Sequence, residues 1–134
     1  MPVKTHTVPS EIYKLKVTLL GTKPPIWRRL LVPANLTLAQ LHAVLQVAMG
    51  WQDGHMHEFS IGERRIGIPN PQDRLMGMPP VENEQKVRLS GVLARVGAKA
   101  IYTYDFGDSW EHGIILEKCL PPVPDTTYPL CIVG

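Results

Sequence analysis

Apolar and polar residues alternate along several short segments of this chain, the pattern of half-buried β-strands. The segments form three sequential pairs, each joined by a short turn. They lie at 12–20 and 26–32, at 55–61 and 64–68, and at 99–106 and 110–120. Strands connected by short turns pair antiparallel, so the spacing predicts three hairpins of an antiparallel sheet.

One helix is clearly marked between the first two hairpins. Thr37 followed by Gln40 has the spacing of a capping box, and Gly50 supplies a C-terminal stop. Apolar residues recur on one face between them, which predicts a helix over 38–49. A shorter helix is expected within 87–96. The order ββ-α-ββ-α-ββ predicts an α+β fold, with one amphipathic helix packed on a mainly antiparallel sheet.

Composition places the chain among ordinary globular domains. The 134 residues are 44% hydrophobic and carry a net charge of +2, which predicts one domain over 1–134 and argues against nucleic acid as a partner. No apolar run reaches the roughly 20 residues that span a bilayer, so no membrane association and a cytoplasmic location are expected. Residues 1–10 are expected to form a flexible arm, and the proline-rich segment 69–86 a mobile loop.

The segment 102–112 concentrates chemically active side chains. It holds three carboxylates and four aromatic rings, together with a histidine. Burial suits the aromatics and water suits the carboxylates, so this mixture is more typical of a site than of a plain hairpin. The candidate ligand-binding residues are Asp105, Asp108, Trp110, Glu111 and His112.

Hairpin register determines which of these side chains meet. A two-residue turn at Gly107-Asp108 would put Asp105, Trp110 and His112 on one face of the sheet. We then expect them to line a concave surface with at least one of the histidines at 42, 55 and 57. A three-residue loop would flip the partner strand and undo this grouping.

Histidines and a carboxylate in convergence are the ligand set of zinc or another divalent metal. The candidate metal ligands are His42, His55, His57, His112 and Asp105. Their spacing matches no diagnostic metal motif. The structural alternatives are that His42 is a core-edge histidine bonded to backbone, that Asp105 and Asp108 cap the turn, and that Trp110 anchors the core.

Five motifs in order give the chain a family resemblance. They are Lys23-Pro-Pro-Ile-Trp-Arg-Arg29, Leu38-Ala-Gln-Leu-His42, Met49-Gly-Trp51, His55-Met-His-Glu-Phe59 and the segment 102–112. Together they resemble the Ri-plasmid ORF-3-like family over about residues 12–133. The resemblance implies an α+β fold, no established activity, and a passenger protein of mobile elements. It also implies a continuation rich in Cys, Pro, Glu and Asp after Tyr128-Pro-Leu-Cys131, so a site that needs those residues would be incomplete here.

The "resolvase-like" label attached to such proteins does not fit the residues. A serine recombinase needs a serine nucleophile beside clustered arginines that hold phosphates, and no serine here has that setting. Three functions remain open. The first is a binding or accessory module for a small ligand or divalent metal. The second is a metal-dependent hydrolase in which Glu111 or Asp108 moves the proton. The third is a nucleic-acid accessory protein of a mobile element.

Overall fold

The computed structural model describes residues 11–77 and 80–133. In this part of the chain eight strands form one sheet, flanked by short helices. The strands are β1 (Ile12–Leu19), β2 (Ile26–Pro33), β3 (His57–Ile61), β4 (Arg64–Gly67), β5 (Glu82–Asn83), β6 (Lys99–Tyr104), β7 (Trp110–Leu120) and β8 (Leu130–Val133). The helices are α1 (Leu38–Met49), α2 (Pro71–Leu75) and α3 (Leu89–Val92), with a 3₁₀ turn at Glu84–Lys86.

The sheet runs in the order β5-β4-β3-β6-β7-β1-β2-β8. The three expected hairpins, β1-β2, β3-β4 and β6-β7, are all antiparallel. The hairpins join through β3-β6 and β1-β7, which are antiparallel as well. The pairing of β4 with β5 is parallel. The α+β fold with a mainly antiparallel sheet is therefore confirmed.

Helix α1 covers one face of this sheet. Thr37 and Gln40 form the predicted capping box, and Gly50 ends the helix in the left-handed region at φ 77. Leu38, Leu41 and Leu45 of the helix are buried in one cluster with the inward side chains of the strands. The inward strand residues include Leu15, Val17, Leu30, Phe59, Ile66, Tyr102 and Leu116. This packing holds His42 of the helix against His57, the first residue of β3, and against Tyr102 of β6.

Segment 69–86 holds more regular structure than its composition indicated. It contains α2, strand β5 and the 3₁₀ turn, and Glu84 in that turn is only 6% exposed. Strand β8 was also not expected. The second predicted helix is confined to Leu89–Val92. The predicted flexible arm at 1–10 lies outside the described residues, and mobility of 69–86 stays a prediction.

The predicted register of the last hairpin is wrong by one residue. Tyr104 pairs with Trp110 and Tyr102 pairs with His112, so five residues rather than two connect the strands. A shift of one residue turns the partner strand over. Trp110 and His112 therefore share a face with the two tyrosines instead of with Asp105, which lies in the loop at φ 63.

Candidate functional site

Three metal-ligating side chains meet where α1 crosses the start of β3. His42 comes from the buried face of α1, His57 is the first residue of β3, and Asp53 lies in the irregular segment between them. One ring nitrogen of each histidine and a carboxylate oxygen of Asp53 all lie within 4.8 Å of one another. We call these three residues the trio. Both histidines are buried, at 7% and 6% exposure, whereas the Asp53 side chain is 60% exposed.

A ring of hydrogen bonds orients two members of the trio, His42 and Asp53. The Asp53 backbone N–H donates to Gln46 Oε1 over 2.6 Å, which fixes the orientation of that amide. Gln46 Nε2 then donates to Tyr102 Oη over 2.8 Å. The hydroxyl proton of Tyr102 is directed at His42 Nδ1, 2.7 Å away. The Asp53 carboxylate can only accept, so His42 Nε2, 2.8 Å from Oδ1, carries the ring proton and donates to it. Nδ1 is thereby left to accept from Tyr102, which closes the ring.

His57 is held differently. Its Nε2 lies 2.7 Å from Glu84 Oε1, and both side chains are buried. Its Nδ1 is buried without a hydrogen-bond partner among the described residues. A buried polar atom without a partner costs about 1–3 kcal/mol. With Nε2 donating to Glu84, Nδ1 is the nitrogen whose lone pair stays available.

The two imidazoles stack face to face. Their ring centroids are 3.5 Å apart and their planes differ by 9°. Burial lowers the pKa of His42, and the adjacent His57 lowers it further by charge repulsion. Two stacked rings can be close only when at least one is neutral. A neutral imidazole is also the form that binds a metal.

A cleft of roughly 1010 Å³ adjoins the trio, which forms part of its lining. Its other walls come from β3, β4, α2 and the segment before β5. Among the described residues that line it, carboxylates outnumber cations: Glu58, Asp73 and Glu84 join Asp53, against Arg65. Arg65 is itself paired with Glu58 over 2.9 Å. The described lining therefore carries more negative than positive groups, and the Asp53 side chain is open to solvent there.

His112 lies apart from the trio. It is fully buried, its Nδ1 lies 3.0 Å from the Tyr102 carbonyl, and its Nε2 accepts from Trp51 Nε1 over 3.1 Å. Burial lowers its pKa. Since Nε2 accepts, Nδ1 carries the proton and donates to the carbonyl. Nδ1 thus fixes the ring to β6, and Nε2 holds Trp51 over the sheet.

The remaining predicted residues gather around a second cleft, except Glu111. Asp105, Asp108 and Trp110 line it together with His55, whose Nε2 is 3.7 Å from Asp105 Oδ2. Glu111 pairs with Thr103 and points to the opposite face of the sheet. Among the described residues, His55, His112 and Asp105 lie outside the trio.

Sequence reasoning missed Asp53 and Glu84. Asp53 stands two residues before His55, and a carboxylate so close to a predicted histidine pair was a usable signal. Glu84 lies 27 residues from His57 in a polar, proline-rich segment. Its burial arises from the packing of the 3₁₀ turn against α1, which no local pattern indicates.

Comparison with known proteins agrees with the motifs. The model of the family described as plasmid pRiA4b ORF-3-like protein matches residues 11–134. The chain belongs to this family. A curated relative, the uncharacterized protein y4hQ of Sinorhizobium fredii (strain NBRC 101917 / NGR234), is 40% identical over 115 residues. The match covers 85% of this chain and 57% of the relative, so the chain spans little more than half of the relative's length.

A solved structure has the same fold as this ORF-3-like chain. It is the crystal structure of MM3350, a protein of unknown function from Methanosarcina mazei Go1. The TM-score is 0.81 at 37% identity, covering 92% of this chain and 69% of that one. In the described part of the ORF-3-like chain, the helices are too short or too polar to cross a bilayer.

Proposed function

We propose that this protein binds a divalent transition-metal ion, with zinc the best match, through His42, Asp53 and His57. The observation that carries the proposal is the unpartnered, buried Nδ1 of His57, in a ring that stacks on His42 and clusters with His42 and Asp53. Nitrogen and carboxylate ligands suit zinc at bond lengths of about 2.0–2.2 Å. A polar cluster that served only packing would be expected to satisfy this nitrogen as it satisfies His42.

The groups around the trio support the same proposal. Metal-bound histidines typically bond a carboxylate, a carbonyl or water through their second nitrogen, which fixes the ring and raises its basicity. Glu84 is placed to do this for His57, at 2.7 Å. Tyr102 Oη is placed to do it for His42, at 2.7 Å, by accepting from Nδ1 once Nε2 binds the ion.

His42 and Asp53 need little rearrangement to share an ion. The His57 ring must tilt out of its stack on His42, because lone pairs that lie in parallel ring planes do not converge on one ion. Two ligands of a tetrahedral ion with bonds of about 2.0 Å lie about 3.3 Å apart. His42 Nε2 and Asp53 Oδ1 are now 2.8 Å apart, so an ion replaces the proton between them after a shift of about half an ångström. The exposed Asp53 side chain can make that shift without disturbing the core. The Tyr102 hydroxyl proton loses its acceptor in the process, which lowers the affinity.

Zinc titration by calorimetry tests the proposal. It is best done in a Cys119→Ser/Cys131→Ser background, because both thiols are exposed and cysteine thiolates are zinc ligands. We expect one site with Kd below about 10 μM, a binding free energy of about −7 kcal/mol. The absence of a site of that strength would overturn the proposal.

Two variants locate the site within the trio. His57→Gln keeps a side-chain N–H for Glu84 and removes the nitrogen equivalent to Nδ1. Asp53→Asn removes one charged ligand at a position where Asn tolerates φ 53. Each is expected to weaken zinc binding by about tenfold or more. Asp125→Asn is the matched control, because Asp125 is also exposed and lies at φ 63. A site that survives both trio variants is elsewhere.

A metal-dependent hydrolase is the second candidate function. Three protein ligands leave a fourth position for water, the arrangement of catalytic rather than structural zinc. The adjoining cleft has room for a substrate. Glu111 and Asp108 are not placed for the proton transfer expected of them, since neither lines that cleft. Hydrolysis of p-nitrophenyl acetate by the zinc-loaded protein, lost in His57→Gln and retained in Asp125→Asn, would support this candidate. A hydrolysis rate no higher than that of free zinc ions would reject it.

A further inference from the structure

The second cleft has an aromatic wall built from three rings. Trp51 is central, with its ring centroid 5.3 Å from that of Tyr104 and 5.8 Å from that of Trp110. The His55 ring meets Tyr104 edge-on at 5.7 Å. Trp110 is 36% exposed, a large fraction for a tryptophan at the start of a strand. These side chains surround a space of roughly 420 Å³, enough for a small organic group.

Two hydrogen bonds hold this wall in place. The indole N–H of Trp51 donates to the buried His112, and the Gly54 backbone N–H donates to Tyr104 Oη. Both rings are thereby fixed before any ligand arrives. The faces that remain uncovered are π-surfaces, which carry negative potential.

The charges at the cleft have the same sign as the ring faces. The carboxylates of Asp105 and Asp108 lie on its rim, and among the described residues that line it there is no lysine or arginine. Asp105 Oδ1 accepts from the Gly107 N–H, which holds the side chain in position, while Oδ2 is 3.7 Å from His55 Nε2. Asp108 is exposed. A cationic group placed here would meet electron-rich rings and two carboxylates.

We propose that this second cleft binds an organic cation, of the quaternary ammonium or guanidinium kind, between the Trp51–Trp110 wall and the Asp105 and Asp108 carboxylates. Ring faces attract such cations electrostatically, and tryptophan attracts them most strongly. Weak hydration of these ions reduces the desolvation cost that excludes small inorganic cations from an aromatic surface. Anions are repelled by both carboxylates. The cleft contains none of the trio, so this proposal stands independently of metal binding.

The indole N–H resonances of the ¹⁵N-labelled protein report on the cleft directly. The chain has three tryptophans, of which Trp51 and Trp110 form the wall. Trp27 lies on the far side of the sheet, flanked by Lys16 and Arg29, and serves as an internal reference. Choline chloride is titrated at constant ionic strength, and 3,3-dimethylbutan-1-ol supplies the same shape without the charge. We expect saturable shifts of the Trp51 and Trp110 signals with choline alone.

Variants establish which groups are responsible. Trp110→Ala is expected to weaken choline binding by roughly fivefold, equivalent to about 1 kcal/mol. Asp108→Asn, an exposed change that does not endanger the fold, is expected to weaken it by two- to fivefold, roughly 0.4–1 kcal/mol. Trp27→Ala and Asp125→Asn are the matched controls and are expected to leave the affinity unchanged. N-acetyl-trimethyllysine amide, titrated in parallel, shows whether a peptide side chain is held more tightly than the free cation.

Three results would overturn the proposal. The first is the absence of saturable choline binding below about 50 mM, a binding free energy weaker than about −1.8 kcal/mol. The second is equal affinity for the neutral alcohol, which would make the cleft a plain apolar patch. The third is unchanged affinity in Asp108→Asn together with tighter binding of a neutral sugar such as glucose, which would identify the wall as a carbohydrate platform.

Discussion

Replacing Tyr102 by phenylalanine tests whether the hydrogen-bonded ring stabilises the fold. Tyr102 is fully buried, and its hydroxyl bonds His42 Nδ1 and Gln46 Nε2. The change removes one oxygen and leaves the aromatic packing intact. Both partners lose a hydrogen bond at once, and water has little access to either because they are only 7% and 5% exposed.

The expected loss of stability follows from those two groups. Each buried polar group left without a partner costs about 1–3 kcal/mol. Because a little solvent reaches both, we expect Tyr102→Phe to lower the free energy of unfolding by about 2–4 kcal/mol in total. At about 4 °C per kcal/mol for a domain of this size, Tm falls by about 8–16 °C.

Urea unfolding followed by circular dichroism measures this loss. Tyr13→Phe is the control, since Tyr13 is 2% exposed and its hydroxyl makes no hydrogen bond to a described residue. We expect the control to change the free energy of unfolding by about 0.5 kcal/mol or less. Equal effects of the two substitutions would refute the ring as a source of stability.

Two further predictions concern the histidines and the helix. Burial lowers the folded-state pKa of His112, so the unfolded chain binds more protons near pH 6. The free energy of unfolding is therefore expected to fall as pH drops below about 6.5, the ordinary histidine pKa. A higher free energy of unfolding at pH 5.5 than at pH 7.5 in urea titrations would contradict this. Thr37→Ala removes the side-chain cap of α1 and is expected to lower the free energy of unfolding by about 1 kcal/mol. Thr127→Ala, at an exposed threonine, is the control in the same assay. Equal stability of the two variants would contradict the prediction.

Short-range sequence patterns were enough to predict most of the secondary structure. Helix α1 has the predicted bounds because its capping box, its apolar face and Gly50 are all encoded within about fourteen residues. The six predicted strands were found for the same reason, since alternation is visible within each segment. Strands β5 and β8 were missed because Glu82–Asn83 and Leu130–Val133 are short and lack a periodic pattern.

The hairpin register depended on backbone conformation that composition does not reveal. Gly107-Asp108 resembles a two-residue turn, yet Asp105 and Ser109 both adopt positive φ and widen the loop to five residues. The Asp105 side chain stabilises that loop by accepting from the Gly107 N–H. A shift of one residue in the strand pairing buries His112 and leaves Asp105 at the rim of the second cleft.

The sequence analysis identified only the two histidines of the candidate metal site. His42 and His57 were both among the candidate metal ligands, one on the predicted helix and one on a predicted strand. Asp53 and Glu84 join them through tertiary contacts: the helix C-terminus turns Asp53 back over His42, and the 3₁₀ turn brings Glu84 to His57. Neither contact leaves a periodic trace along the chain.

X-ray absorption at the zinc edge of the loaded protein tests the central claim most directly, because it reports the atoms bound to the ion. We expect nitrogen and oxygen ligands at about 2.0–2.1 Å, with outer-shell scattering from two imidazoles. One imidazole contribution should disappear in His57→Gln. A sulfur shell at about 2.3 Å would instead assign the ion to Cys119 or Cys131. That spectrum, or one without imidazole scattering, would contradict the proposed site.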